Sequence, residues 1–466
     1  SEWRVVSEGV AQRIRALEAF LADVYDRGDI MRDGVVPKSL VTSSSHYHRQ
    51  AHGIVPANGV RIHVAGVDLV RDEEGTFHVL EDNLRCPSGV SYVLENRRTL
   101  AHVAPEVFTG YRVAPVTEYP ERLYRALAAA APRDVHDPTV VVLTPGVYNS
   151  AHFEHALLAR RMGAELVEGR DLFCRGGFVY MRTTQGPQPV HVIYRRLDDE
   201  YLDPVQFNGD SVLGVPGLLN AARAGAVTIA NGVGNGVADD KALYPYVPKI
   251  IEYYLGEKAI LPNVPTHDLM DPEVREFVLE RLDKMVIKPV DGSGGYGLVI
   301  GPKSTDAELA EVAEAIKADP RSWIAQPVVT LSTSPTVGTG GRVQPRHLDL
   351  RPFAVNDGKK IWVLPGGLTR VAMKAGSLVV NSSQGGGSKD TWVLAGTGEE
   401  DDGASFSAEA VLEARRLNRG LPTGGPITPR VSLPHTHEAR MRQQEEQQQQ
   451  ATATPPVPEA QVDRSC

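Results

Sequence analysis

The sequence is poor in the features that mark secreted, membrane-spanning or nucleic-acid-binding proteins. Its 466 residues hold three cysteines, Cys86, Cys174 and Cys466, widely spaced and without a CxxC pair. That argues against a disulfide framework and against a cysteine-built zinc site. No apolar run approaches the roughly 20 residues a membrane helix needs, and the opening residues lack a signal-peptide core. Basic residues show no excess: 49 Lys and Arg against 58 Asp and Glu leave a formal net charge of −9 and a pI of about 5.9. A broad nucleic-acid face is therefore not expected, and any phosphate should be met by local groups. A cytoplasmic protein without membrane or nucleic-acid partners is the expectation. What is there, 42% hydrophobic and 23% charged residues, suits a globular protein, and the length suits two or three lobes around a cleft.

Residues 8–25 place Val10, Ile14, Leu17, Leu21 and Val24 at helical spacing, an amphipathic helix expected as a packed lid. Two short apolar stretches, 61–65 and 76–80, flank a charged turn at 71–75 and read as a hairpin. Residues 139–143, 152–162 and 164–166 follow a strand, helix, strand pattern, which places an α/β lobe in mid-chain. A second strand–turn–strand unit spans 285–300, and Thr305 with Glu308 forms a capping box for a helix reaching about residue 318. Strands at 323–329, 348–355, 360–364 and 368–372 complete an α+β lobe. Past about Gly420 the chain is rich in Gln, Pro and Thr and is expected to be disordered over 420–466. The expected organisation is 1–45 helical, 46–135 carrying the hairpin, 136–235 the α/β lobe, 236–400 the α+β lobe, then the tail.

The chemistry concentrates in two places. The first is Asp68 on one strand with Glu81, Asp82 and Asn83 on the next. Strand alternation puts Glu81 and Asn83 on one face and Asp82 on the other, and a hairpin can bring Asp68 beside them. Two carboxylates and an amide oxygen form the hard, oxygen-rich set that Mg²⁺ accepts; the same pattern also suits the polar face of a sheet. The second is Lys288 at the end of an apolar strand, followed by Gly292, Ser293, Gly294, Gly295 and Gly297 and then another strand. Glycines let backbone N–H groups close on an anion, and the lysine supplies a charge to phosphate oxygens. A strand after the loop excludes both the P-loop and the dinucleotide fingerprint, which lead into helices.

Other residues gain meaning beside these. Lys241 opens a helix and could reach phosphate. Gln326 lies in an apolar strand suited to a purine edge. Arg351 and Arg370 sit in strands as phosphate clamps or as structural ion pairs. His46, His48 and His52 lack the spacing of a known zinc site, and Arg49 among them is the better candidate for binding a carboxylate or phosphate. The charged stretch 195–200 reads as a solvated turn or a substrate clamp.

These segments, from about Ser43 to Leu394, resemble the circularly permuted ATP-grasp proteins, bacterial relatives of glutathionylspermidine synthetase. The resemblance rests on residues 53–68, 80–89 and 287–297, with the carboxylates preceding the glycine loop where most ATP-grasp enzymes have the reverse order. It implies a permuted ATP-grasp fold of mixed α/β and α+β character, its two to three lobes enclosing an ATP cleft. It implies Asp68, Glu81 and Asn83 as Mg²⁺ ligands, Lys241 and Lys288 as ATP-phosphate lysines, the loop up to Gly297 as a phosphate cover and Gln326 at the adenine side. Arg49, Arg351 and Arg370 are the candidate catalytic cations. The implied activity joins a small-molecule or peptide carboxylate to an amine through an acyl phosphate, a route that needs no nucleophile from Cys86. A phosphotransferase and a non-catalytic nucleotide-binding partner stay open as alternatives.

Overall fold

A computed structural model describes residues 2–291, 297–338, 341–380 and 386–394. Gly292, Ser293, Gly294 and Gly295 of the expected phosphate cover, and the expected tail over 420–466, lie outside them.

Helix α1 (Glu2–Val24) begins earlier than its apolar spacing suggested and buries Val6, Val10, Ile14, Leu17, Leu21 and Val24. It belongs to the principal core rather than to a lid, packed together with Ile62, Val67, Leu69 and Val79. The hairpin follows as β1 (Val64–Arg71) and β2 (Phe77–Asn83). β1 starts at Val64 and not at residue 61 because side chains take the earlier N–H groups. Glu18 accepts from Arg61 and Ile62 at 2.6 and 2.8 Å, and Asn231 Oδ1 accepts from His63 and Val64 at 2.8 and 2.9 Å.

The mid-chain strand–helix–strand pattern forms as its spacing indicated. β3 (Val140–Leu143), the helix His152–Met162 and β4 (Glu165–Val167) give a parallel pair. An antiparallel sheet of β5 (Leu172–Arg175), β6 (Phe178–Thr183) and β7 (Gly186–Val190) follows. β8 (Val192–Arg195) and β9 (Thr228–Ala230) then complete the parallel sheet in the order β4-β3-β8-β9.

A smaller sheet, ordered β10-β13-β11-β12, joins β10 (His267–Asp268), β11 (Met285–Pro289), β12 (Val299–Ile300) and β13 (Trp323–Pro327). It has a core of its own, including Ile287, Val312, Ile316 and Ala325. The helix Asp306–Ala318 covers it, started by the Thr305–Glu308 capping box.

The remaining strands are β14 (Thr333–Val337), β15 (Val343–Arg351), β16 (Phe353–Asn356), β17 (Ile361–Val363), β18 (Leu368–Val371) and β19 (Gly387–Asp390). They join β1 and β2 in one eight-stranded sheet. Leu69 faces Leu350 and Gly66 faces Phe353 in a single register, so β15 and β16 are one extended partner for β1. The partner divides at Pro352, which has no N–H to give. β1 is thus an internal strand, buried along seven of its eight residues.

Candidate active site

β1 and β2 make the floor of the site. Asp68 faces Glu81 and Gly66 faces Asn83, so Asp68, Glu81 and Asn83 share one face of the hairpin. Asp82 points the other way, as alternation requires. There Arg13 of α1 donates to it through Nε at 2.7 and 2.9 Å and through Nη2 at 2.7 Å. This buried fork fixes the helix to the back of the strand that carries the candidate metal ligands.

Arg351 and Arg370 reach the floor from β15 and β18. Both guanidiniums engage Asp68: Arg351 Nη2 donates at 2.8 Å and Arg370 Nη2 at 2.6 Å, and Arg370 also holds Asp349 through Nε at 2.9 Å. Burial alone would raise the Asp68 carboxyl, but the two arginines outweigh it and hold it down at about 2. Arg351 crosses directly over Gly66, where a Cβ would lie 3.3 Å from the Arg351 Cδ and from the Pro87 Cβ. A larger residue at 66 would crowd the Arg351 side chain.

Two lysines lie in the field of Glu81. Lys241, in the 3₁₀ helix Lys241–Tyr246 capped by Asp240, places Nζ 3.6 Å from Glu81 and donates to the Val290 carbonyl at 3.3 Å. Lys288 sits on β11. Burial lowers its pKa to about 8 although Glu81 and Asp68 favour the charged form, and Lys241 adds to the lowering. Lys241 therefore pairs with Glu81 across 160 positions of sequence, and Lys288 feels the same carboxylate only through its field. A small cavity of about 30 Å³ opens there, lined by His46, Glu81, Asn83, Arg85, Asp239, Lys241 and Asp291 among others.

The donor set suits a hard divalent cation. Glu81 is partly open to the cavity, and Asn83 lines it with an amide whose oxygen is the group a cation could take, while its buried Nδ2 has no hydrogen-bond partner among the described residues. Asp68 differs, because both its oxygens already hold guanidiniums and would have to exchange one to take a metal. Gln326 shares a face with Lys288 in the β11–β13 pairing but is buried, its Nε2 donating to Thr266 Oγ1 at 2.8 Å. Gly297 is described and has φ +69°, the left-handed conformation glycine favours. Arg49 lies exposed in the turn Arg49–Ala51 and does not line the cavity.

The charged stretch after β8 is structural rather than a clamp. Arg195 is fully buried and donates to the carbonyls of Asn231, Gly232 and Leu197, and Arg196 donates to the Pro87 carbonyl and to Glu154. The three histidines also separate. His46 lines the cavity, held well below its ordinary pKa by burial with Arg85 adding to the effect; His48 faces Asp199 at 3.7 Å; His52 bonds Tyr47 at 2.9 Å.

Arg85 and Asp239 were not singled out from the sequence, yet both line the cavity. Arg85 Nε donates to Asp239 at 3.0 Å, and Asp239 also accepts the N–H groups of Leu84 and Arg85 at 2.6 and 3.2 Å. The signal was Arg85 two residues past Asn83, which keeps it on the same strand end. Its partner Asp239 lies in the helix Gly236–Asp239, where a Cβ at Gly236 would meet Arg85 Cδ at 2.7 Å and His46 Cβ at 2.8 Å.

The chain is similar in sequence to several known proteins. An uncharacterized protein of Mycobacterium tuberculosis is 61% identical over 421 residues, covering 90% of this chain and 75% of the relative. One from Synechocystis is 53% identical over 397 residues, covering 85% and 82%. A Frankia casuarinae protein named "Putative glutamate--cysteine ligase 2-2" is 46% identical over 394 residues, covering 84% of this chain and 45% of the relative. Residues 1–372 match a family described as circularly permuted ATP-grasp type 2, and the chain belongs to that family.

Proposed function

We propose that this protein is an ATP- and Mg²⁺-dependent ligase that joins a carboxylate to an amine through an acyl phosphate. The observation that carries the reading is the pairing of Lys241 with Glu81, with buried Lys288 in the field of the same carboxylate, beside Asn83 and the Asp68–arginine cluster. Glu81 and Asn83 would hold Mg²⁺ directly, with Asp68 joining on release of a guanidinium. The ion, when bound, neutralises phosphate oxygens during transfer. Lys241 and Lys288 would hold the phosphates, and Arg351 and Arg370 supply cationic charge beside them; such positioning dominates phosphoryl transfer. Glu81 would hold the Lys241 ammonium in place before nucleotide arrives. Gly297, with Gly292, Ser293, Gly294 and Gly295, would cover the phosphates, and Gln326 would stand at the adenine side. Arg49, outside the cavity, is proposed as a recognition group for the carboxylate substrate.

The name of the Frankia relative supports a ligase, although this chain matches less than half of that protein. The test is amine-dependent ADP release across a panel of amino acids, peptides and polyamines. Amide product supports the ligase, while phosphorylated product accumulating without amine identifies a phosphotransferase. The nucleotide site has a separate test. Mg·ATP should raise the melting temperature, and Glu81→Gln or Lys288→Ala should remove most of that shift; protection unchanged in both would overturn the assignment.

A further inference from the structure

The antiparallel sheet β5-β6-β7 lies outside the ATP cleft and carries an unusual outer face. Its pairing aligns Phe173 with Tyr180 and Pro189, and Arg175 with Phe178, while Arg182 faces Pro187. These seven residues share one side of the sheet. The opposite side buries Leu172, Val179, Met181 and Val190. Phe178 is 56% exposed, and Arg175, Arg182, Pro187 and Pro189 are exposed as well.

The two arginines are held in place by aromatic rings. Phe173 and Tyr180 stack with centroids 5.6 Å apart. Arg182 lies over Phe173 at 4.5 Å, and Arg175 lies over Phe173 at 5.8 Å and over Tyr180 at 5.3 Å. Neither arginine has an ion pair among the described residues, and residues 172–190 contain no Asp or Glu. In a chain of net charge −9, this is a local cationic face whose charges have been left for something else. The prolines of β7 oppose strand addition at that edge.

We propose that this face docks an acidic segment of a partner protein, its carboxylates received by Arg175 and Arg182 and its apolar contacts by Phe178, Pro187 and Pro189. Charge complementarity sets the sign of the partner. The geometry favours a peptide over single-stranded nucleic acid, because successive bases need a row of open rings and the guanidiniums already lie over Phe173 and Tyr180, leaving Phe178 as the one exposed ring of the face. Pre-stacked arginines lose little freedom when they form bidentate carboxylate pairs.

The full chain can be tested with a fluorescent deca-glutamate peptide by anisotropy at low and high salt. Saturable binding should weaken at least tenfold in the Arg175→Glu/Arg182→Glu double variant, and also on raising the salt. Phe178→Ser should weaken it without reversing charge, and unchanged melting temperatures would show that each variant folds. Absence of saturable peptide binding, binding indifferent to the double reversal, or tighter binding of oligothymidylate would overturn the proposal. So would a concentration-dependent dimer that the double variant dissolves, since the occupant would then be a second copy of the chain.

Discussion

At the level of single residues, what the sequence made readable was periodicity. Glu81 and Asn83 face the cavity and Asp82 faces away because strand side chains alternate, and that rule needs no knowledge of the fold. It could not reveal that Asp68 is engaged by Arg351 and Arg370, because the partners lie up to 302 residues away. His63 was likewise invisible. It is fully buried, neither ring nitrogen has a hydrogen-bond partner among the described residues, and burial lowers its pKa from 6.5 to about 4. The unfolded chain takes up this proton near pH 6.5 and the folded chain only near 4. The stability it preserves is therefore intact above 6.5 and lost as pH falls through that interval. Relative to a His63→Phe variant, the wild type should lose about 3 kcal/mol between pH 7 and pH 4. Urea unfolding at the two values checks this, and a pH-independent difference would contradict it.

Among the elements, those defined by local signals were found and those defined by remote partners were displaced. The Thr305–Glu308 box starts its helix within one turn, and the strand–helix–strand unit around His152–Met162 is set by spacing alone. β1 starts later than its apolar run because Glu18 and Asn231 take the N–H groups of residues 61–64. The role of α1 is set remotely as well. Helical spacing shows an apolar stripe but not that Arg13, between stripe residues, anchors Asp82. Replacing Arg13 with alanine leaves that carboxylate buried and unpaired, which should cost roughly 3–5 kcal/mol. Because Asp82 sits between Glu81 and Asn83, the same variant should also weaken Mg·ATP protection in thermal unfolding. Loss of stability with full nucleotide protection would mean that the helix supports the fold and not the site.

For the whole molecule, the permuted motif order was legible through resemblance, whereas the merging of 64–83 with 333–390 in one sheet was not. Sheet membership depends on long-range pairing, which leaves no local trace. The sheet of β10 to β13, with its separate core, is expected to open before the rest. Hydrogen exchange under mild denaturant should release amides of 267–327 ahead of those in β1; simultaneous release would contradict that independence. The internal position of β1 also bears on how the protein is made. Asp68 and Arg351 are 283 residues apart, so at about 5–20 residues per second the ribosome delivers β15 tens of seconds after β1 has emerged. Throughout that interval a strand destined for complete enclosure waits with one edge unpaired, and biosynthesis must shield it until the second half of the chain arrives.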